Sequence, residues 1–230
     1  LACHSGLEIA DISNPVSPEF IGLFESDWLK YVAALGDYAY ILSDTAFYVI
    51  DVSIPSNPIQ EGFYSIILGY IFFIYSNYAY ISDQFRSFIV VDLSNPDSLT
   101  YAGFFDSPGS ADEFCVVDSL VYIADYESGL TIFNLSNPLR PGYVGGIQLW
   151  NMTAISILGD YAYCVCRETN LKIVDISDPT NPQLVGSYIT AQRPYHIAVS
   201  GEFVFLTEWD FGLEVVNVSD PSAPYFAANY

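Results

Sequence analysis

The sequence predicts an all-β fold, a β-propeller of four-stranded antiparallel blades with about five and a half blades present, and three observations predict it. A segment of the form I-x-D-I-S-x-P-x-x-P recurs along the 230 residues, its acidic or amide position falling at Asp11, Asp51, Asp92, Asn134, Asp175 and Asn217, so that successive copies lie 40, 41, 42, 41 and 42 residues apart. A second segment, two short apolar runs around a tight polar pair, sits between successive copies. Only six residues are Lys or Arg, whereas nineteen are Tyr and sixteen Phe, the residue types that suit a pleated, half-buried surface.

In chain order each period opens with the paired apolar runs: V-A-A-L-G-D-Y-A-Y-I from Val32, F-F-I-Y-S-N-Y-A-Y-I from Phe72, C-V-V-D-S-L-V-Y-I from Cys115, I-S-I-L-G-D-Y-A-Y-C from Ile155 and I-A-V-S-G-E-F-V-F-L from Ile197. Gly36-Asp37, Ser76-Asn77, Asp118-Ser119, Gly159-Asp160 and Gly201-Glu202 are pairs that reverse a hairpin, which makes this half strand A, turn, strand B. The recurring acidic segment supplies strands C and D, for example Leu171 to Ile176 and Gln183 to Tyr188, with Ser177-Asp178-Pro179-Thr180-Asn181-Pro182 between them. Two prolines in that loop remove backbone donors and fix φ, which ends C before D begins. The repeat Asp stands at the end of C, where its carboxylate is expected to accept backbone N–H bonds of the C–D loop; Asn134 and Asn217 keep the acceptor oxygen.

A four-stranded sheet that is apolar on both faces must be covered on both, and stacking against like sheets achieves this. No segment shows the 3.6-residue period of a helical solenoid, and a parallel β-helix has shorter coils without paired hairpin turns. The chain divides into a half blade at 1–27 and blades at about 28–67, 68–108, 109–149, 150–190 and 191–230, together one propeller domain. Only strands C and D precede Val32, and Leu1-Ala2-Cys3 reads as the tail of a B strand (compare Ile123-Ala124-Asp125), so the expectation is a fragment of a ring of six or more blades, the rest of the parent propeller being absent.

These residues resemble the LVIVD-repeat family, Lys172-Ile173-Val174-Asp175 being the nearest copy of the motif and Leu171 through Tyr188 the nearest copy of the surrounding repeat. The resemblance spans essentially the whole chain. It implies a propeller of the kind found in secreted or surface-exposed bacterial and archaeal proteins, and no shared enzymatic activity. The copies depart most at Ile66 to Tyr75, where an aromatic and aliphatic run replaces a polar D-to-A connection, and at Asn134 and Asn217.

A formal charge of −21 repels a nucleic-acid backbone, which needs Lys and Arg to displace its counterions. Such a surface favours solubility and attracts Ca²⁺ or basic proteins. Cys3, Cys115, Cys164 and Cys166 are too few for a disulfide scaffold and lack zinc spacing; Cys164 and Cys166, two apart on one strand, share a face and are read as packing residues. The longest apolar stretch, Ile66 to Ile81, is broken by Gly69, Ser76 and Asn77 and reads as strands rather than a transmembrane segment.

In an up-and-down blade the B–C turns and D–A connections share one end, and here that end varies most. Trp28, Tyr31, Tyr70, Asp112, Glu113, Trp150, Tyr195, His196 and Trp209 fall there and make a candidate binding face for a protein or carbohydrate ligand, aromatic anchors being the residues that dominate recognition. The alternative is that the rings pack between blades. The end of strand B carries Asp83, Asp125 and Glu208, with Asp44 one place beyond the equivalent Ser43. Together they suggest a carboxylate ring for Ca²⁺, although strand-end acids also bind their own turn. His4 and His196 are the only histidines, and no motif places a Ser or Cys nucleophile beside either. Sequons occur at Asn134, Asn151 and Asn217. The preferred function is therefore a non-catalytic recognition or scaffold module of an extracellular or cell-surface protein, without a cofactor. Its rival is a Ca²⁺-dependent hydrolase or lyase with an axial site.

Overall fold

The computed structural model describes residues 2–3, 6–26, 28–66, 69–82, 87–167, 170–208 and 212–230, and among them there is no helix. Strands β1 (Ala2–Cys3), β2 (Gly6–Asp11) and β3 (Glu19–Glu25) form a three-stranded sheet. Two four-stranded sheets follow. The first comprises β4 (Leu29–Leu35), β5 (Tyr38–Ser43), β6 (Ala46–Asp51) and β7 (Ile59–Ser65), and the second β8 (Phe72–Tyr75), β9 (Tyr78–Ser82), β10 (Ser87–Asp92) and β11 (Thr100–Asp106). Next come β12 (Ala111–Val117), β13 (Leu120–Asp125), β14 (Gly129–Asn134) and β15 (Gly142–Ile147), then β16 (Met152–Leu158), β17 (Tyr161–Cys166), β18 (Asn170–Asp175) and β19 (Gln183–Ile189). The last sheet holds β20 (Pro194–Ser200), β21 (Phe203–Glu208), β22 (Gly212–Asn217) and β23 (Tyr225–Asn229). Each four-stranded sheet is an antiparallel meander in chain order, A to D, and β1 occupies the place of the expected B-strand tail.

One boundary differs from the sequence reading. The A strands begin about three residues earlier than Val32, Cys115, Ile155 and Ile197, because β4, β12, β16 and β20 each continue past a β-bulge into the segment read as connection.

The chain forms two compact units, Leu1–Phe105 and Asp106–Tyr230. In the first, Leu7 of β2 packs with Leu29, Ala39, Ile41 and Ile50 of the next sheet, whose other face sets Leu42, Phe47 and Val49 against Phe72, Ala79, Ile81 and Val91. In the second, Ala124, Leu130 and Ile132 meet Met152, Ile155 and Val174, and beyond that sheet Val165, Leu171 and Ile173 meet Val204, Leu206 and Val216. The sheets β4–β7 and β16–β19, apolar on both faces, are thus covered on both. Cys164 and Cys166 lie buried in these clusters, as packing residues do. The divergent run at Ile66 to Tyr75 supplies buried Ile66, Ile71, Phe72 and Phe73. Phe73 stacks on Tyr80 at 4.6 Å between ring centroids, and Phe88 on Phe105 at 4.9 Å.

The two ends of a blade are built differently. At the A–B turns Gly36, Ser76, Asp118, Gly159 and Gly201 take φ between 54° and 60°, while their partners do not, the pattern of a type II′ hairpin turn. In all six C–D loops the repeat Asp or Asn accepts the backbone N–H of the serine two residues on, at 2.8 Å for Asp11, 2.7 Å for Asp51, 2.8 Å for Asp92, 2.7 Å for Asn134, 2.9 Å for Asp175 and 3.0 Å for Asn217. The next residue ties that loop to its own A–B turn, as Val52 N–H does to Asp37 O and Ile176 N–H to Asp160 O.

Strand D carries a bulge opposite the middle of C, and the residue after it is glycine at Gly22, Gly62, Gly145 and Gly186. A Cβ at these four positions would overlap the carbonyl oxygen of Pro55, Pro96, Pro179 and Pro221, each in the C–D loop of the following sheet. The close approach demands glycine. Gly186→Ala is accordingly expected to destabilise the protein by about 1–3 kcal/mol, whereas Gly142→Ala, where a Cβ meets nothing, should leave urea unfolding within about 0.5 kcal/mol of the parent.

The Ser13, Ser53 and Ser177 donors hold the carboxyls of Asp11, Asp51 and Asp175 below the ordinary 3.8. Depressed folded-state values contribute stability that is present above the unfolded pKa and lost as pH falls through the folded one. Thermal melts should therefore drop below about pH 4, and Asp175→Asn should weaken that dependence while keeping the loop, as Asn134 and Asn217 do. Asp175→Ala should lower the melting temperature at neutral pH; an unchanged melt would show that the loop does not need the acceptor.

Candidate functional site

The A-strand bulges determine what the B–C and D–A end presents. Pairing skips Lys30 in β4, Asp112 in β12, Thr153 in β16 and Tyr195 in β20, so the same position of four blades is pushed out of the ladder. Tyr70 holds the equivalent place ahead of β8, its N–H donating to Ser82 O at 3.1 Å. Tyr31, Asp112, Glu113, Tyr195 and His196 therefore stand on strand ends rather than in free loops.

In the first unit Lys30 pairs with Asp44, donates to Gly69 O at 3.2 Å and lies over the Tyr70 ring at 5.6 Å from its centroid. Trp28 and Tyr31 are exposed, and Trp28 sits at a φ of 21°, on the margin of the left-handed region. Trp28 lines a cavity of about 800 Å³ with Phe24, Glu25, Asp44, Tyr48 and Gln60. Aromatic surface and polar side chains thus meet at one concavity.

In the second unit a chain of backbone bonds crosses two blades: Tyr126 N–H to Ser110 O at 2.9 Å, Asn151 N–H to Tyr126 O at 3.0 Å and Arg167 N–H to Asn151 O at 2.9 Å. The Arg167 guanidinium lies over the Tyr126 ring at 4.9 Å. Burial raises the Asp112 carboxyl, the Arg167 charge lowers it, and Glu127 and Asp125 raise it further. Glu113 accepts Ile155 N–H at 2.8 Å, joining β12 to β16. Burial raises its carboxyl, against the pull of that N–H and of His196. Trp150 and Tyr195 are exposed beside this patch, the Arg193 guanidinium standing 5.4 Å from the Tyr195 ring centroid. Trp209 lies outside the described residues.

Tyr126 and Arg167 escaped the sequence reading, whose strand B-end candidates were chosen as carboxylates and whose face residues came mostly from the segments leading into strand A. Their place just past the end of strand B was the available signal. Asp125, fully buried, accepts Ser107 Oγ–H at 2.7 Å, Gly109 N–H at 2.7 Å and Ser128 N–H at 3.1 Å, so it fastens the D–A connection to the B–C turn of its own blade. Glu208 accepts Gln192 N–H at 3.0 Å, Asp44 is held by Lys30, and Asp83 lies outside the described residues. Among the described residues no three His, Cys, Asp or Glu side chains form a group able to hold a metal ion. No helix of the described chain is long and apolar enough to cross a membrane.

The LVIVD-repeat model matches residues 2–25, 30–65, 73–107, 108–148, 151–190 and 195–230. The chain belongs to the LVIVD-repeat family. A protein from Lactobacillus plantarum has a similar structure, with a TM-score of 0.81 at 11% identity over 98% of this chain and 78% of that one. Sqt1 of Saccharomyces cerevisiae gives 0.77 at 6% identity over 98% and 68%, and the N-terminal domain of Nup159 gives 0.62 at 8% over 86% and 60%. At these identities the likeness concerns the fold alone, and with six LVIVD repeats it establishes a β-propeller. No curated protein sequence matches the chain.

Asp125→Ala removes three bonds to a buried carboxylate and should cost about 2–4 kcal/mol. Asp125→Asn, which keeps an acceptor, should cost less. Equal, negligible shifts in melting temperature would show that Asp125 does not fasten the connection.

Proposed function

We propose that this LVIVD-repeat propeller is a non-catalytic recognition or scaffold module of a secreted or cell-surface protein, binding a protein or carbohydrate partner through the B–C and D–A end of its blades. The observation that carries the reading is the repeated A-strand bulge, which displays a different residue on each of four blades, Lys30, Asp112, Thr153 and Tyr195, from one backbone position. A fixed frame with variable display suits recognition. Exposed Trp28, Tyr31, Tyr70, Trp150 and Tyr195 add the rigid aromatic area from which binding energy is drawn. The formal charge of −21 and the family resemblance support an extracellular setting and favour partners with a basic or neutral surface.

The test is a screen of immobilised glycans and extracellular proteins, followed by calorimetry on each hit with and without Ca²⁺. Replacing Trp28 and Tyr31 with Ala, or Trp150 and Tyr195 with Ala, should weaken a true partner at least roughly tenfold with the melting temperature kept. Binding that ignores both double variants would place recognition elsewhere. Hydrolysis of a bound glycan or peptide that requires Ca²⁺ and Asp125 would favour the enzymatic alternative.

A further inference from the structure

We infer that Glu208 and Glu214 form a carboxylic-acid pair holding one proton between them, a pH-responsive latch on the connection that leads from β19 into β20. Glu208 ends β21 and Glu214 is the third residue of β22, where pairing sets Glu208 opposite Gly212 and Glu214 opposite Leu206. The two side chains therefore project from one face of adjacent strands, two positions apart. Both are buried, with 5% and 1% of their surface exposed.

Their surroundings come from the preceding blade. Glu214 Oε1 accepts Tyr188 Oη–H at 2.8 Å and Oε2 accepts Ala191 N–H at 3.1 Å, while Glu208 Oε1 accepts Gln192 N–H at 3.0 Å. That leaves Glu208 Oε2 buried without a donor. Among the described residues no ion pair reaches either carboxylate. Among the described residues the titratable groups facing Glu208 are Glu214 from its own sheet and Tyr188 from β19, and the nearest cation along the connection, Arg193, lies over the Tyr195 ring.

Two buried carboxylates in contact cannot both stay charged without a cation, and neither can donate when ionised. A proton on one of them resolves both difficulties, since the O–H donates to the other acid and the orphaned oxygen gains its partner. Burial pushes Glu208 up to about 7, the Gln192 N–H pulling it down and Glu214 raising it again. A folded-state value above the ordinary 4.5 means the latch contributes stability fully below pH 4.5 and loses it as pH rises through about 7. With both acids charged, repulsion falls on the two carboxylates that hold the N–H groups of Ala191 and Gln192, and the connection loosens two residues ahead of β20.

The experiment is a pH titration of the whole chain, ¹³C-labelled at the Glu carboxyls, with amide exchange at Ala191 and Gln192. Glu208→Gln keeps the acceptor for Gln192 and puts a fixed N–H donor where the proton would lie; Glu214→Gln does the same from the other side if the first variant fails to fold. One carboxyl signal of the parent should titrate with a midpoint near 7 and vanish in Glu208→Gln. At pH 8 the two amides should exchange roughly tenfold faster in the parent than in the variant, and equally fast at pH 5. A carboxyl that titrates in the ordinary range, or amides indifferent to the substitution, would overturn the latch. Ca²⁺ that shifts the same signals in the parent and not in Glu208→Gln would make the pair a cation site instead.

Discussion

Within each compact unit one sheet can lie on the next only because strand D offers no side chain where the neighbouring C–D loop comes down. Gly22, Gly62, Gly145 and Gly186 meet the carbonyls of Pro55, Pro96, Pro179 and Pro221 across a gap that a single methyl group would close. For that contact to recur, the loop must arrive with the same shape every time. The Asx bond from the repeat Asp or Asn to the serine two residues on lies just ahead of the proline concerned, as Asp175 and Ser177 lie ahead of Pro179. The motif first read as punctuation between strands therefore sets the position of a carbonyl on which the stacking depends.

That constraint separates the two ends of the blades. The C–D end is committed: the loops holding Pro55, Pro96, Pro179 and Pro221 meet the preceding sheet's glycine, and C–D loops are tied to their own A–B turn through bonds such as Leu93 N–H to Asn77 O and Val218 N–H to Glu202 O. Changes there disturb stacking. The B–C and D–A end is fastened by residues that differ from blade to blade, Ser43 bonding Thr45 and Ala46, Ser82 bonding Ile71, and Asp125 bonding Ser107 and Gly109. Several chemistries satisfy the same local demand, and this tolerance is what frees the end to specialise.

Much of this was legible in the sequence, and for a physical reason. Hairpin pairs such as Gly159-Asp160, the proline loop after Asp175 and the near-constant period are local features, so strand order and the role of the repeat Asp followed from them. The start of strand A did not, because a bulge adds a residue without leaving a compositional mark; Lys30, Asp112, Thr153 and Tyr195 share no chemistry. The stacking role of Gly186 was equally hidden, since a repeat shows that glycine recurs and not what approaches it. Among candidate site residues, sequence treated Asp125 and Glu208 as equivalent, whereas one is tied by three donors and the other meets a second acid.

That last difference belongs to a single position in the repeat, the space between the end of one blade's strand D and the strand B end of the next. Aligning the repeats puts Phe24 where Tyr188 stands, Ser43 where Glu208 stands and Tyr48 where Glu214 stands. In the first unit the apolar ring of Phe24 and the short Ser43 leave that space open, and it forms part of the cavity beside Trp28. In the second the hydroxyl of Tyr188 reaches Glu214, and the two longer acids turn the same space into a buried polar network. Neither version touches the glycine and proline contact at the other end of the blade. A propeller of this kind can therefore exchange an open pocket for a proton-bearing core by substituting three side chains, with the backbone frame left as it is.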